Sequence, residues 1–189
     1  MYKILKYVSD VFLALLILGC VWWFLVPCML ILWCTGEHKV WYLQKRVGYQ
    51  NRIFSIFKFA TMLKNSPNMG TGSLTTRNDP RVLPFGRFLR KTKINELPQI
   101  FNVLNGTMSI VGPRPVVQRE LDLMDEYQRQ RFLVKQGITC IWQCSGRANT
   151  SFKEQILMDL EYVNKRGFWY DVYLVLKTIP AVLLGKGSV

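Results

Sequence analysis

Histidine is nearly absent from this sequence: His38 is the only one in 189 residues. That excludes histidine general acid–base work and histidine metal clusters in the body of the chain. Acids are also scarce, 12 against 25 lysines and arginines, so the formal charge is +13. Five cysteines are an odd number for a disulfide scaffold. Three of them (Cys20, Cys28, Cys34) lie in an apolar run, and the remaining pair, Cys140 and Cys144, has no second pair to complete a zinc site. Reduced thiols in a cytoplasm-facing protein are the simpler expectation. P-loop, G-x-G-x-x-G, G-x-S-x-G and H-E-x-x-H patterns are all missing, as are internal repeats and low-complexity tracts.

What is present is half apolar and 13% aromatic, enough to fold around a core. The positive charge is concentrated. Residues 39–93 hold twelve bases and one acid, whereas residues 1–38 are neutral and residues 94–189 carry a net +2. Such a stretch calls for an anionic partner: nucleic acid, phospholipid headgroups or a phosphorylated substrate. No RRM, zinc-finger or helix-turn-helix signature accompanies the charge, which argues against nucleic acid.

Residues 11–34 form 24 consecutive uncharged, mostly apolar positions, and roughly 20 suffice to span a bilayer. The run is longer than a signal-peptide core and is followed by no small-residue cleavage site. Its flanks are cationic on both sides, Lys3 and Lys6 before, Lys39, Lys45 and Arg46 after. Cationic flanks stay on the cytoplasmic face, so the segment either crosses with its more weakly charged N-terminus outside or enters and turns back. Pro27 would divide the run into arms of 16 and 7 residues, each too short to span. The expectation is a re-entrant helix–break–helix over residues 1–38 with the break at Pro27, and a single compact cytoplasmic domain over 39–189. A kinked crossing helix is the alternative.

Within the domain, Val40–Leu43 and Ile53–Phe59 read as strands joined by a turn at Gly48–Asn51. Residues 64–80 read as a loop. Leu97–Leu104 reads as a short helix closed by Asn105-Gly106, with Asn95 as its N-cap and Pro98 in its first turn. Residues 116–135 read as one helix. Ser151-x-x-Glu154 is a capping box opening another. The tail over 168–184, with Phe168, Trp169, Tyr170 and Tyr173 at its start, fits either a membrane-surface helix or a core helix. The sum is a helix-rich α/β domain lying against a membrane face.

For chemistry, the spacing leaves one carboxylate among phosphate binders. Glu96 is the only acid between Asp79 and Glu120, and Arg87, Arg90, Lys91, Lys93 and Arg114 surround it in sequence. Arginines clamp phosphate oxygens, and a carboxylate among them suits a Mg2+ that bridges a diphosphate. An exposed basic surface beside a capped helix accounts for the same residues without chemistry.

The motifs then become recognisable. Gln44-Lys45-Arg46-Val47-Gly48, Phe54–Met62, Asp79-Pro80-Arg81, Gly86–Thr92, Asn95–Gln99, Asn102–Pro115, Val134–Thr139 and Gly146-Arg147 follow one another in the order found in the small monotopic phosphoglycosyl transferases. The chain resembles this bacterial sugar transferase family over nearly its whole length. The resemblance implies a nucleotide-diphosphate-sugar donor, usually a UDP-sugar, a polyprenyl (undecaprenyl) phosphate acceptor, Mg2+, and placement at the bacterial inner membrane facing the cytoplasm. It implies polyprenyl-diphosphate-sugar and UMP as products, the first membrane step of polysaccharide or glycoconjugate synthesis. It implies Glu96 as metal ligand and catalytic carboxylate, Arg90, Arg114, Lys58 and Arg87 as phosphate binders, and Gln143 and Arg147 near the nucleotide or sugar. A homodimer or glycosyltransferase partners are left open, and the length fits a minimal catalytic unit.

The chain departs from the family at Asn95, where the family carries the Asp that attacks the donor and holds the phosphosugar. An amide cannot form an acyl phosphate. Glu96 as nucleophile, direct attack by the lipid phosphate with Asn95 and Glu96 orienting metal and substrates, and a catalytically silent partner in a polysaccharide assembly complex are the three readings. Ala60 and Thr107 stand where a basic residue and an Asp are common.

Overall fold

A 34-residue helix, α1 (Tyr2–Thr35), opens the chain. The computed structural model describes residues 2–35, 37–66, 69, 79–145 and 150–183. By length and composition α1 is apolar enough to cross a membrane. Phe12, Leu15, Leu16, Trp22, Trp23 and Leu30 are each more than half exposed on it. The expected interruption at Pro27 is corrected: every residue from 2 to 35 is helical. Proline there removes one donor, but the next turn seats Cys28 and Leu32 against Phe59 and Leu89, which holds the second arm onto the domain. The two arms are therefore one element.

The other end of α1 is held by polar contacts. The buried Asp10 carboxylate accepts from Ser109 Oγ (2.7 Å) and from Ile110 N–H (3.2 Å). Lys6 Nζ bridges Asp10 (3.7 Å) and Asp171 (2.9 Å). Tyr2 and Tyr162 each donate a hydroxyl to Asp171 (2.9 and 2.7 Å). Both ends of the apolar helix thus rest on the same body.

Strands β1 (Trp41–Val47) and β2 (Ile53–Phe59) form an antiparallel hairpin with Trp41 opposite Phe59 and Val47 opposite Ile53. The turn lies where the sequence places it; Gln50 and Asn51 take left-handed backbone there. β1 is longer than expected, because its second half pairs fully with β2. Helix α2 (Pro84–Lys91) follows, then a 3-10 turn (Ile94–Gln99) and α3 (Ile100–Leu104). The expected single helix with an Asn95 cap is corrected here. Lys93, not Asn95, occupies the cap position, with no side-chain cap bond. Pro98, inside this segment, has no N–H to offer an α-helical bond, and the backbone tightens instead. Asn105-Gly106 does close α3, with Gly106 in the left-handed region (φ 76°).

Asn102 welds α3 to the hairpin. Its buried amide accepts from Phe57 N–H (2.9 Å) and donates to Ser55 carbonyl (2.8 Å), like a short extra strand. Strands β3 (Ser109–Val111) and β4 (Gly137–Thr139) pair in parallel. Gly112 and Gly137 lie so close that a Cβ on either would strike the other strand's backbone. Residues 116–135 are not one helix but α4 (Gln118–Asp122), α5 (Glu126–Arg129) and a 3-10 turn (Gln130–Leu133). Asp125 restarts the helix by accepting from Gln128 N–H (2.8 Å), while the Gln128 side chain accepts from Asp125 N–H (3.3 Å).

Helix α6 (Ile141–Cys144) precedes α7 (Phe152–Lys165), which opens on the expected Ser151/Glu154 capping box. In α8 (Phe168–Leu183), Leu174 is buried in the core with Ile56, Val103 and Tyr162, while Trp169, Tyr173, Leu176 and Ile179 are exposed. The tail is thus half core helix and half apolar surface. The described chain is a helix-rich α/β fold with one long apolar N-terminal helix.

Asn102→Ala leaves a half-buried N–H and a carbonyl of β2 without their side-chain partner and opens a gap at the buried Asn102 site. Thermal or denaturant unfolding in detergent should show a loss of about 2–4 kcal/mol.

Candidate active site

The hairpin, the 3-10 turn and the turn after β3 enclose an open cavity of about 310 Å³. Alternation along a strand puts Tyr42, Gln44 and Arg46 on one face, and Lys58 lies directly across from Tyr42. All four line the cavity. Lys93 reverses the chain after α2 through a left-handed backbone (φ 59°), a conformation that costs a β-carbon-bearing residue about 1–3 kcal/mol. The reversal lets Arg90, from the last turn of α2, and Asn95 and Glu96, from the 3-10 turn, face the same space. Arg114 enters from the Gly112–Pro115 turn.

Glu96 is at the centre. Arg114 grips it with both guanidinium nitrogens, at 2.7 and 3.1 Å. Lys58 Nζ stands 3.8 Å from the same carboxylate. Burial would push the Glu96 carboxyl up, but Arg114, Lys58 and Arg46 outweigh it and hold it well below the usual carboxylate range. Glu96 in turn raises Arg114 against the effect of burial. Burial lowers the Lys58 ammonium to about 8, with Arg114, Arg46 and Arg90 adding to the drop and Glu96 opposing it. Burial also lowers Arg46 and Arg90.

A second ring of contacts fixes these groups. Gln44 Oε1 accepts from Arg46 (2.9 Å) and Lys58 (3.2 Å). Arg46 also donates to Pro115 carbonyl (3.1 Å), and its buried Nε has no hydrogen-bond partner among the described residues. Arg131 donates to the Arg114 carbonyl (2.6 Å) and forms an ion pair with Asp159 (2.6 Å). Both members of that pair are at most 2% exposed. A rigid backbone at Arg114 is what makes a two-point grip on Glu96 reproducible.

The structure brings together Glu96, Asn95, Arg90, Arg114 and Lys58. It does not bring in Arg87, which is exposed on α2, or Gln143, which sits in α6 and accepts from Cys140 Sγ–H (3.0 Å). Arg87 lies about one turn before Arg90 on α2, and Gln143 lies within the short helix α6. Arg147 lies outside the described residues. Asp79 is no free acid: both its oxygens bind Arg81, at 2.9 and 2.6 Å. Gln44, Arg46, Tyr42, Lys39 and Lys64 line the cavity and were not among the residues chosen from sequence. For Gln44 and Arg46 the signal was available, two polar residues spaced two apart in a strand opposite Lys58.

Six cations (Lys39, Arg46, Lys58, Lys64, Arg90, Arg114) and one carboxylate line this cavity. That balance selects a multiply charged anion such as a diphosphate. No group of three His, Cys, Asp or Glu side chains able to hold a metal exists among the described residues. Glu96 and the Asn95 amide oxygen supply two protein oxygens at most. This fits Mg2+, which takes one or two protein oxygens and completes its shell with substrate phosphates and water.

Anion binding here should weaken as pH rises through about 8, because Lys58 loses its charge there in the free protein. Equilibrium binding of a nucleoside diphosphate across pH 6–10 reads this directly. Lys58→Arg should carry strong binding to higher pH.

The family model described as "Bacterial sugar transferase" matches residues 1–185. Among similar proteins, the galactosyl transferase CpsE of Streptococcus agalactiae is 38% identical, over 96% of this chain and 42% of its own length. The exopolysaccharide production protein ExoY of Sinorhizobium fredii is 38% identical, over 79% of this chain and 73% of its own. The undecaprenyl-phosphate galactose phosphotransferase of Salmonella typhimurium is 35% identical, over 86% of this chain and 38% of its own. The chain thus spans about two fifths of the streptococcal and Salmonella relatives and about three quarters of ExoY. A family match over residues 1–185, with relatives up to 38% identical, means that the chain belongs to the bacterial sugar transferase family.

Proposed function

We propose that this protein transfers a sugar 1-phosphate from a nucleotide-diphosphate sugar, a UDP-sugar by family analogy, to polyprenyl phosphate. The products are polyprenyl-diphosphate-sugar and the nucleoside monophosphate. The observation that carries the reading is the Glu96–Arg114 pair in a cavity whose other charged lining groups are all cations. Relatives named for undecaprenyl-phosphate galactose and glucose phosphotransfer support it. So does a relative named UDP-glucose:undecaprenyl-phosphate glucose-1-phosphate transferase.

The residues divide the work. Arg114, Arg46, Lys58 and Arg90 bind and orient the donor diphosphate and balance charge that builds on the leaving group. Glu96 and the Asn95 amide oxygen would hold Mg2+, which would supply further charge neutralisation on the phosphates. The family's attacking Asp is Asn95 here, and an amide forms no acyl phosphate. Glu96 is held ionised by Arg114 and Lys58, and a carboxylate so stabilised is a weak nucleophile. Transfer is therefore read as direct. An oxygen of the lipid phosphate bonds to the donor's β-phosphorus. The bond from that phosphorus to the bridging oxygen breaks, and the electron pair leaves on the nucleoside monophosphate.

For the membrane arrangement, both ends of α1 rest on the domain, which supports a helix held against one membrane face with both cationic flanks on the cytoplasmic side. The exposed apolar residues of α8 (Trp169, Tyr173, Leu176, Ile179) suit contact with the same face. The inner membrane and a cytoplasm-facing domain are part of this reading.

The test is release of UMP by detergent-solubilised protein given Mg2+, undecaprenyl phosphate and a panel of UDP-sugars. Release is expected from the native chain and a loss of at least about a hundredfold from Glu96→Ala. Exchange of labelled UMP into UDP-sugar without acceptor is expected to be absent in the native chain. Exchange there would place a covalent intermediate on Glu96. Release only from Asn95→Asp would make the native chain a silent partner.

A further inference from the structure

Five of the six cavity cations fall into two sets, with Arg90 entering separately from α2. Arg46, Lys58 and Arg114 are engaged with Glu96 and Gln44. Lys39 and Lys64 also line the cavity, but both are exposed, and neither joins an ion pair among the described residues.

Their position ties them to the membrane helix. α1 ends at Thr35, and Glu37 and His38 both take left-handed backbone (φ 44° and 55°), a tight turn that delivers the chain to Lys39. The Glu37 carboxylate accepts the Lys64 N–H. The Val40 carbonyl accepts the Ala60 N–H at 2.9 Å. The segment after β2 is thus tied twice to the chain leaving α1. The two lysines stand on the side of the cavity where the apolar helix ends. Just before that end, Leu30 and Trp33 are 61% and 53% exposed. Trp33 packs against His38, the residue before Lys39, so an exposed apolar side chain stands close in the chain to the first lysine.

We propose that Lys39 and Lys64 form the seat for the phosphate of the lipid acceptor, separate from the inner Arg46–Lys58–Arg114 seat that holds the donor diphosphate. This rests on the transferase reading above. The residue types fit the division. Guanidinium forks held in a second ring of hydrogen bonds suit a donor that must not move. Ammonium groups on flexible stems suit a phosphate that arrives from the bilayer and advances toward the donor. With the lipid phosphate on one side and the diphosphate on the other, Glu96 lies between two anions and the sites do not compete.

The experiment uses the full chain in nanodiscs and the double variant Lys39→Ala/Lys64→Ala. Initial rates with varied undecaprenyl phosphate and varied UDP-sugar should show the acceptor KM raised about tenfold or more. The donor KM should rise much less than the acceptor KM. Lys39→Arg/Lys64→Arg should recover the acceptor KM, which a folding defect would not allow. A raised donor KM with an unchanged acceptor KM overturns the proposal. A second arm needs no turnover: equilibrium binding of a fluorescent polyprenyl phosphate to the same nanodiscs. Weakened binding in the alanine variant supports the seat and unchanged binding overturns it, even if the native chain consumes no donor and the transferase reading itself fails. If phosphatidylglycerol displaces the probe as well as polyprenyl phosphate does, the lysines are general headgroup contacts and the acceptor seat is refuted.

Discussion

The Glu96–Arg114 pair closes the site. It joins the turn after α2 to the turn after β3, and the cavity is the space left in front of the hairpin. Neither partner belongs there alone. A carboxylate so enclosed would tend toward its neutral form, and Arg114 without it would face Arg46 and Lys58 across a poorly solvated gap. Three cations around one carboxylate leave an excess positive charge, which is the condition for an anion to bind. Stability and function therefore draw on one contact. The Asp159–Arg131 pair acts behind it through the Arg114 carbonyl, so the front grip inherits the rigidity of the core.

The membrane helix is docked by two different kinds of force. Its first turns are pinned by charge and hydrogen bonds, Lys6, Asp10 and Tyr2 against Ser109 and Asp171. Its last turns are pinned by packing, Leu25, Cys28 and Leu32 against Phe59 and Leu89. Phe59 is the residue next to Lys58 on β2, and Leu89 precedes Arg90 on α2. The membrane element and the anion cavity share walls.

Some of this was legible in the residues themselves. The hairpin turn at Gly48–Asn51, the Ser151/Glu154 cap and the Asn105-Gly106 stop depend on a few adjacent residues, and all three formed where local chemistry put them. Glu96 stood out as a lone acid among bases, and Arg90 and Arg114 came with it. Arg87 did not: it stays exposed on α2, about one turn before the Arg90 that lines the cavity. Gln44 and Arg46 escaped notice as site residues, because a strand face becomes a wall only when something packs opposite it. The single helix expected over 116–135 failed at Asp125, whose cap bond to Gln128 outcompeted helix continuation.

The sequence by itself determined the chemistry available: one carboxylate, many cations, an amide at position 95, and an apolar run with cationic flanks. These follow from composition and order along the chain, which no folding step alters. Tertiary structure alone decided which cations reach Glu96 and that both ends of α1 return to the domain. The reason is that pair distances between residues 18 to 100 positions apart are fixed by packing and backbone closure, and electrostatic coupling depends on those distances rather than on sequence spacing.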